Sequence, residues 1–542
     1  MKHTTRAYLA FLLVAVMLVL AACGNNATNN STTNNTEAPQ SSDKKVVNIG
    51  VTYAPSNINP LQPVGLVSTY VASLLFIPLV EIDNNLEYQP MLADSITTED
   101  HTTFTINLNK DAKWTDGTDI TADDVMYTLQ LMTNPVVASN YAYMFAIIEG
   151  LDDFGYMPEG ADSITGVTKV DEHTVQVKTK NPTTLTIFQD TVGRYLLTLP
   201  KAQLEKLSPE EINTSDFMLK PDVTSGPFKL AGIDRDHYVE MVPNTDYFKG
   251  APKLAQLNFK VMQGNTIAAQ LKSGEIDMNI PSAGVIPVSD YELVKGLDTV
   301  TTSYGQPLAT QYIYINEQVV PDKKQRQAIS YAMNREMIVN NLLKGAGEVT
   351  DSFFTSISPY KNENVQPVAY DPEKAKTLLA ESGWDSGKTL KLSVLSGDAT
   401  LEQAANIIAE NLKAVGVNVS LEMLDLGTII DKLGNLNYDL GILTVSITPV
   451  NPLPDIAYYV GEGNPTAYNN PQAVEIANAL STEVDEAKIK ALYDQLQVIL
   501  ADDVPMPSVY ATTALGAVNK RVSGAISSDY GMFINVHEWD VQ

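Results

Sequence analysis

Residues 88–132 read YQPMLADSITTEDHTTFTINLNKDAKWTDGTDITADDVMYTLQLM. Within them TFTINL, 103–108, alternates apolar and polar side chains, so Phe104, Ile106 and Leu108 share one face of a half-buried strand. Thr115-Asp116-Gly117 then reverses the chain, because Asp and Gly accept the backbone angles of a tight turn. Thr121 and Asp124 have the spacing of a capping box, and Asp123 and Asp124 meet the positive end of the helix dipole. Val125, Leu129 and Met132 follow at helical spacing and form the buried face. The stretch predicts a strand, a tight turn and an amphipathic helix.

Read in order, Pro90, Leu92, Ala93, Ser95, Trp114, Asp116, Gly117, Thr121, Ala122, Asp124 and Val125 resemble a shared family signature: P-x-L-A-x-S, a strand, an aromatic-x-D-G turn, then T-A-x-D-V. The family is that of the family 5 extracellular solute-binding proteins, the peptide, nickel and oligosaccharide receptors of ABC importers. Four later blocks extend the resemblance. Gly166-Val167, Asp171, His173-Thr174-Val175 and Val177 match a family hairpin, and TSGPFKL at 224–230 is similar to G-T-G-P-Y-K-L. SGEID at 273–277 completes L-x-x-G-E-I-D, and RQAISYAMNR at 326–335 resembles R-Q-A-I-N-Y-A-I-D-R. Gly226 and Gly274 in these blocks carry backbone shape rather than chemistry.

The 542 residues and 44% hydrophobic content are ample for several cores, while a formal charge of −28 opposes nucleic-acid binding. Lys2 and Arg6 precede an apolar run from Ala7 to Ala22, the pattern of a secretory signal. Leu20-Ala21-Ala22-Cys23 resembles a bacterial lipobox, and Cys23 is the one cysteine in the chain, which makes it the expected lipidation site and leaves no thiol for an internal disulfide. Residues 24–45 carry almost no apolar side chains and read as a polar tether.

Farther on, periodicity marks a helix over 326–335 with Ile329, Met333 and Met337 on one line. Leu390, Leu392 and Val394 alternate as a strand, Ile408, Leu412 and Val415 repeat as a helix closed by Gly416, and Val417, Val419 and Leu421 alternate again. Such a strand-helix-strand unit marks an α/β domain with parallel pairing. The resemblance implies an α/β, periplasmic-binding-protein-like fold: two hinged α/β lobes with an additional smaller domain. Its expected parts are a signal peptide (1–22), a lipidated Cys23 with its tether (23–45), a discontinuous lobe (46–83, 195–304 and 508–542), the small domain (84–194) and a second lobe (305–507).

The same resemblance implies a monomeric receptor, anchored by lipid to the outer face of the bacterial cytoplasmic membrane, that hands an oligopeptide or another small solute to an ABC permease. Family peptide receptors pair with the ligand backbone as an added strand, and many use a G-W-x-x-D segment to hold its amino terminus. Here Val445 takes the tryptophan position and Thr448 the carboxylate position, with Asp455 nearby. Tyr143, Tyr304, Tyr312, Thr448 and Asn451 are the candidate ligand-binding residues by position. Core packing or plain surface is the alternative reading for each tyrosine alone.

Catalytic, metal and cofactor sites are not expected. His3, His101, His173, His237 and His537 show no paired metal-ligand spacing. GWDSGKT at 383–389 is one residue short of a phosphate loop, and no G-x-S-x-G occurs. A surface hydrolase of peptides or sugars using a carboxylate pair is the alternative, because 64 acidic residues can hide such a pair. Within the receptor class, oligosaccharides and metal chelates are the other candidate ligands.

Overall fold

The computed structural model describes residues 45–234 and 236–542. The signal segment, Cys23 and the tether up to residue 44 lie outside the described residues. Lys45, the last tether position, already belongs to the fold: its ammonium is 2.6 Å from Asp540 Oδ1 and its carbonyl accepts from the Ala255 N–H.

The quoted stretch forms the elements its pattern demands. Strand Thr103–Leu108 buries Phe104, Ile106 and Leu108 and lies between Ala93–Thr98 and Thr174–Lys178 in a four-stranded antiparallel sheet completed by Val167–Asp171. Gly117 takes φ 89° at the turn. Helix Ala122–Met132 starts where the Thr121 N–H donates to Asp124 Oδ2 at 2.9 Å, and Val125, Leu129 and Met132 are buried. Phe104 stacks on Phe188 with ring centroids 4.0 Å apart, which ties this sheet to the segment that leads into the site.

Two larger sheets carry the rest. In the seven-stranded sheet Val46–Val51 pairs in parallel with Gln256–Val261 and Met278–Asn279. Antiparallel strands extend both sides, ending at Phe228–Asp234 and at Val300–Tyr304. The six-stranded sheet runs in the order Gly347–Glu348, Ser508–Thr512, Ala309–Ile315, Leu440–Ser446, Thr389–Leu395, Asn418–Leu424. The expected unit is present: Thr389–Leu395 and Asn418–Leu424 pair in parallel, joined by helix Ala399–Ala414, and Gly416 takes φ 93° beyond its end.

The chain crosses between these sheets twice, side by side. Tyr304 pairs with Leu515 in one sheet and Ala309 pairs with Thr512 in the other. The crossings are therefore 305–308 and 513–514, and the Gly305 N–H donates to the Ala514 carbonyl at 2.7 Å. Gly305 has no room for a side chain, since a Cβ there would stand 2.7 Å from Asp529 Oδ2 and 2.9 Å from Pro281 Cβ.

Two details differ from the sequence reading. Strand Ser508–Thr512 belongs to the six-stranded sheet, so the returning segment joins the seven-stranded sheet only at Leu515. The helix expected over 326–335 spans Lys323–Ala332 and stops at an extended Met333. Asn334 breaks it, because its N–H donates to Asn411 Oδ1 at 3.0 Å while its side chain caps the turn Arg335–Met337. A five-residue π turn, Ile338–Leu342, follows, and Met337 leaves the buried line.

Gly226 and Gly274 do carry shape, in different ways. A Cβ at Gly226 would lie 2.1 Å from the Leu74 carbonyl oxygen, whereas Gly274 has open space around it and φ 75° at a helix end. Gly274→Ala is expected to cost about 1 kcal/mol through the left-handed backbone alone. Gly226→Ala should cost about 3 kcal/mol, because backbone must move. Urea unfolding measures both, and equal losses would contradict the packing argument.

Candidate functional site

A turn of π helix, Gln189–Gly193, holds the acid around which the site is built. The Thr191 hydroxyl donates back to the Ile187 carbonyl at 2.7 Å, a local bond that competes with regular helix geometry. Gly193 is pressed against Val80, whose Cγ2 would stand 2.6 Å from an added Cβ. The widened turn sets Asp190 one helical turn before Arg194, and the Arg194 guanidinium reaches Asp190 Oδ1 at 2.9 Å and Glu81 Oε1 at 3.1 Å. All three side chains are largely buried, so the charges are satisfied by one another rather than by water.

Aromatic rings enclose this triad. Arg194 lies 5.8 Å from the Tyr195 ring centroid and 5.6 Å from that of Tyr530. Tyr141 meets Tyr195 edge-on at 4.7 Å. Burial pushes the Tyr530 hydroxyl up to about 12, with Arg194 pulling the other way. Tyr88 and Tyr195 are likewise raised, first by burial, and remain neutral donors at any physiological pH.

The six-stranded sheet sends one loop to this place. Strand Leu440–Ser446 runs out into residues 447–452, and the Asn451 side-chain amide donates to the free Asp190 oxygen, Oδ2, at 3.4 Å. Thr448, half-buried in the same loop, accepts from the Asn451 N–H at 3.2 Å. Helix Leu453–Val460 follows, with Asp455 in its first turn. The Asp455 carboxyl is pushed up by burial, with the Thr448 amide acting in the opposite sense, and its charge reaches the Tyr143 hydroxyl. Tyr143 stands on the short 3-10 turn Ala142–Phe145 and is 58% exposed.

The structure thus places Thr448 and Asn451 in one hydrogen-bonded loop, with Tyr143 within electrostatic reach of the Asp455 that follows it, while Tyr312 lines a recess bounded by Ile447 and Pro449 of the same loop and Tyr304 belongs to the seven-stranded sheet. Tyr312 is a core residue: it is 2% exposed, its hydroxyl donates to the Ser352 carbonyl at 3.2 Å, and Phe353 packs on its ring at 5.4 Å. Its strand is covered on both faces, with Thr310 to Ile315 all buried, and the ring forms part of the wall of a small recess beside Ile447 and Pro449. Tyr304 ends the edge strand Val300–Tyr304, where Tyr291 lies 6.2 Å from its ring and the Lys295 ammonium 5.2 Å. Val445, at the tryptophan position, is buried and lines a recess with Pro307, Thr310, Phe353 and Pro449.

Sequence reasoning passed over Asp190, Arg194, Glu81 and Tyr530. The four-residue spacing of Asp190 and Arg194 was a usable signal for a helical ion pair. Glu81 and Tyr530 are more than one hundred and three hundred positions from Arg194, so nothing local pointed to them.

Comparison with known proteins follows the same lines. The profile of the bacterial extracellular solute-binding proteins, family 5 Middle, matches residues 87–467. The chain is 26% identical over 567 aligned residues to the oligopeptide-binding protein AppA of Bacillus subtilis (strain 168), covering 99% of each. It is also 26% identical over 387 residues to the nickel-binding periplasmic protein of Escherichia coli (strain K12), covering 68% of this chain and 69% of that one. Among solved structures, the ABC transporter substrate-binding protein CtaP of Listeria monocytogenes superposes with a TM-score of 0.80 at 25% identity, over 92% of this chain and 99% of that one.

The buried triad makes one stability prediction. Arg194→Met leaves Glu81 and Asp190 without a counter-charge and should lower the unfolding free energy by about 3–5 kcal/mol. Chemical denaturation of the folded protein checks this, and a loss under about 1 kcal/mol would show that water already solvates the two carboxylates.

Proposed function

This chain belongs to the bacterial extracellular solute-binding proteins of family 5, and from that membership we propose that it captures oligopeptides and delivers them to an ABC permease. Proteins of this family are extracytoplasmic binding receptors, not enzymes, so the solute leaves unchanged. Among the relatives that support the peptide class is AppA, matched over 99% of each chain.

The observation that carries the reading is the slightness of the contact at the site. Asn451 and Asp190 meet at 3.4 Å, long for a hydrogen bond, while the crossings at 305–308 and 513–514 lie side by side. Parting that contact costs little, and two adjacent short crossings absorb a rotation of one sheet against the other. A solute held between Tyr143 on one side and Thr448 and Asn451 on the other then favours the closed arrangement by its differential affinity. The lobes of this reading are 46–83 with 195–304 and the return from Leu515, against 305–507 with strand Ser508–Thr512; residues 84–194 form the smaller domain. Its anchor is a lipid on Cys23, with 24–44 as the leash, and it acts as a monomer.

Native mass spectrometry of protein purified without refolding tests the ligand class. The expected spectrum shows mass increments that fragment as short peptides; sugar or metal-chelate masses would overturn the peptide assignment. For the anchor, Cys23→Ser should remove the lipid mass and release the chain from the membrane fraction, and an unchanged membrane-bound chain would rule out anchoring at Cys23.

A further inference from the structure

The crossings between the two large sheets hold an acid with no counter-charge. Asp529 is half-buried against the crossing at 305–308. Its Oδ1 accepts from the Ser282 N–H at 3.1 Å, and its Oδ2 lies so near Gly305 that an added Cβ there would stand 2.7 Å away. Tyr70, on helix Leu66–Leu75, donates to the Asp529 backbone carbonyl at 3.3 Å. Among the described residues no Lys, Arg or His forms an ion pair with the carboxylate. The ionisable groups around it do not supply one. Tyr70 and Tyr530 are neutral phenols, raised first by burial, and Asp83, packed beneath Gly531, accepts from the Asn85 and Glu87 amides. The Arg194 guanidinium, near the Tyr530 ring, is held by Glu81 and Asp190. One residue along the crossing from Gly305, the Gln306 side chain donates to the Asn84 carbonyl at 2.8 Å but keeps its own Oε1 buried with no donor. The crossing is therefore short of a donor and of a positive charge, and a protonated carboxyl suits such a place better than a carboxylate. Burial pushes the Asp529 carboxyl up, with Ser282 and the Gln306 amide acting in the opposite sense.

We propose that Asp529 is a proton switch on the hinge: its neutral form holds the crossing in the arrangement described here, and its ionised form favours the opened one, in which water reaches the carboxylate. This rests on the closure reading above and adds to it that solute capture strengthens as pH falls. The sign follows from linkage. Closing against Gly305 takes the carboxyl out of water, so the closed state binds the proton more tightly than the open state, and by reciprocity the proton favours closure. The gain is complete below the ordinary carboxylate range, about 4, and is lost as pH rises through the higher closed-state value. For an empty protein that rests open, each unit by which closing raises the carboxyl tightens solute binding about tenfold at the acid limit.

The test is calorimetric titration of the wild-type chain and of Asp529→Asn with an unmodified alanine tetrapeptide at pH 4.5 and at pH 8. The asparagine keeps an acceptor for the Ser282 N–H and carries no charge at either pH. Titration of the peptide's own termini and of other groups acts alike on both proteins and cancels in the ratio of their affinities. The switch predicts that the two proteins bind about equally at pH 4.5 and that the wild type is at least about fivefold the weaker at pH 8. A ratio that is the same at both pH values overturns the switch while leaving capture and closure intact. Closure is read apart from it, by the change in radius of gyration when Asp529→Asn is saturated with peptide, which a failed switch leaves in place. Should the tetrapeptide not bind, scattering of the empty chains decides. A radius smaller at pH 4.5 than at pH 8 in the wild type, and equal at both in Asp529→Asn, upholds the switch; parallel radii in the two proteins overturn it. Unfolding midpoints at both pH values check that the variant is folded, and Asp529→Ser, which also lacks the charge, takes its place if it is not.

Discussion

Two short segments, 305–308 and 513–514, carry the chain between its two large sheets, and their adjacency constrains everything else. Each joins a strand at the edge or centre of one sheet to a strand of the other, and because Tyr304 pairs with Leu515 and Ala309 with Thr512, the segments cannot separate. The Gly305 N–H, bonded to the Ala514 carbonyl, ties them at the waist. Asp529 fills the space beside Gly305 and accepts from the Ser282 N–H at 3.1 Å, so the waist is braced from the seven-stranded side. Any rotation between the sheets must pass through these few residues, and the 447–452 loop leaves its strand at the same end of the six-stranded sheet, where Ser446 pairs with Ala309.

The second large cost in the structure is electrostatic. Burying Arg194 with Glu81 and Asp190 removes three charges from water, which an apolar cluster of equal volume would avoid. The arrangement does position one Asp190 oxygen toward the opposite loop, where Asn451 meets it. A rigid acid aimed across the junction needs its other oxygen fixed, and Arg194 supplies that. The tyrosines around it stay neutral because burial raises them, so they add hydrogen-bonding surface without further charge.

Much of this fold was legible because its signals are local. Alternation at Phe104, Ile106 and Leu108, the Thr121 to Asp124 cap, and the strand-helix-strand unit over 389–424 need only neighbours in sequence, and each formed as its pattern required. The helix over 326–335 failed at Met333 because Asn334 is recruited by Asn411, a residue far along the chain. The site was less legible for the same reason. Tyr143, Thr448 and Asn451 were found by resemblance of position, whereas the partners that give Asp190 its orientation converge from 81, 194 and 451. Tyr312, chosen by the same reasoning, is buried because its strand is covered on both faces, and it meets the 447–452 loop only as part of the wall of a small recess.

If the crossings act as a hinge, the molecule must change its dimensions when a solute is bound. Small-angle scattering of the full chain lacking its signal peptide, with bound solute stripped and then with saturating oligopeptide, reads this directly. The account predicts a smaller radius of gyration with peptide and a scattering curve matching the structure described here. An identical radius in both states, with saturation verified independently, would contradict it.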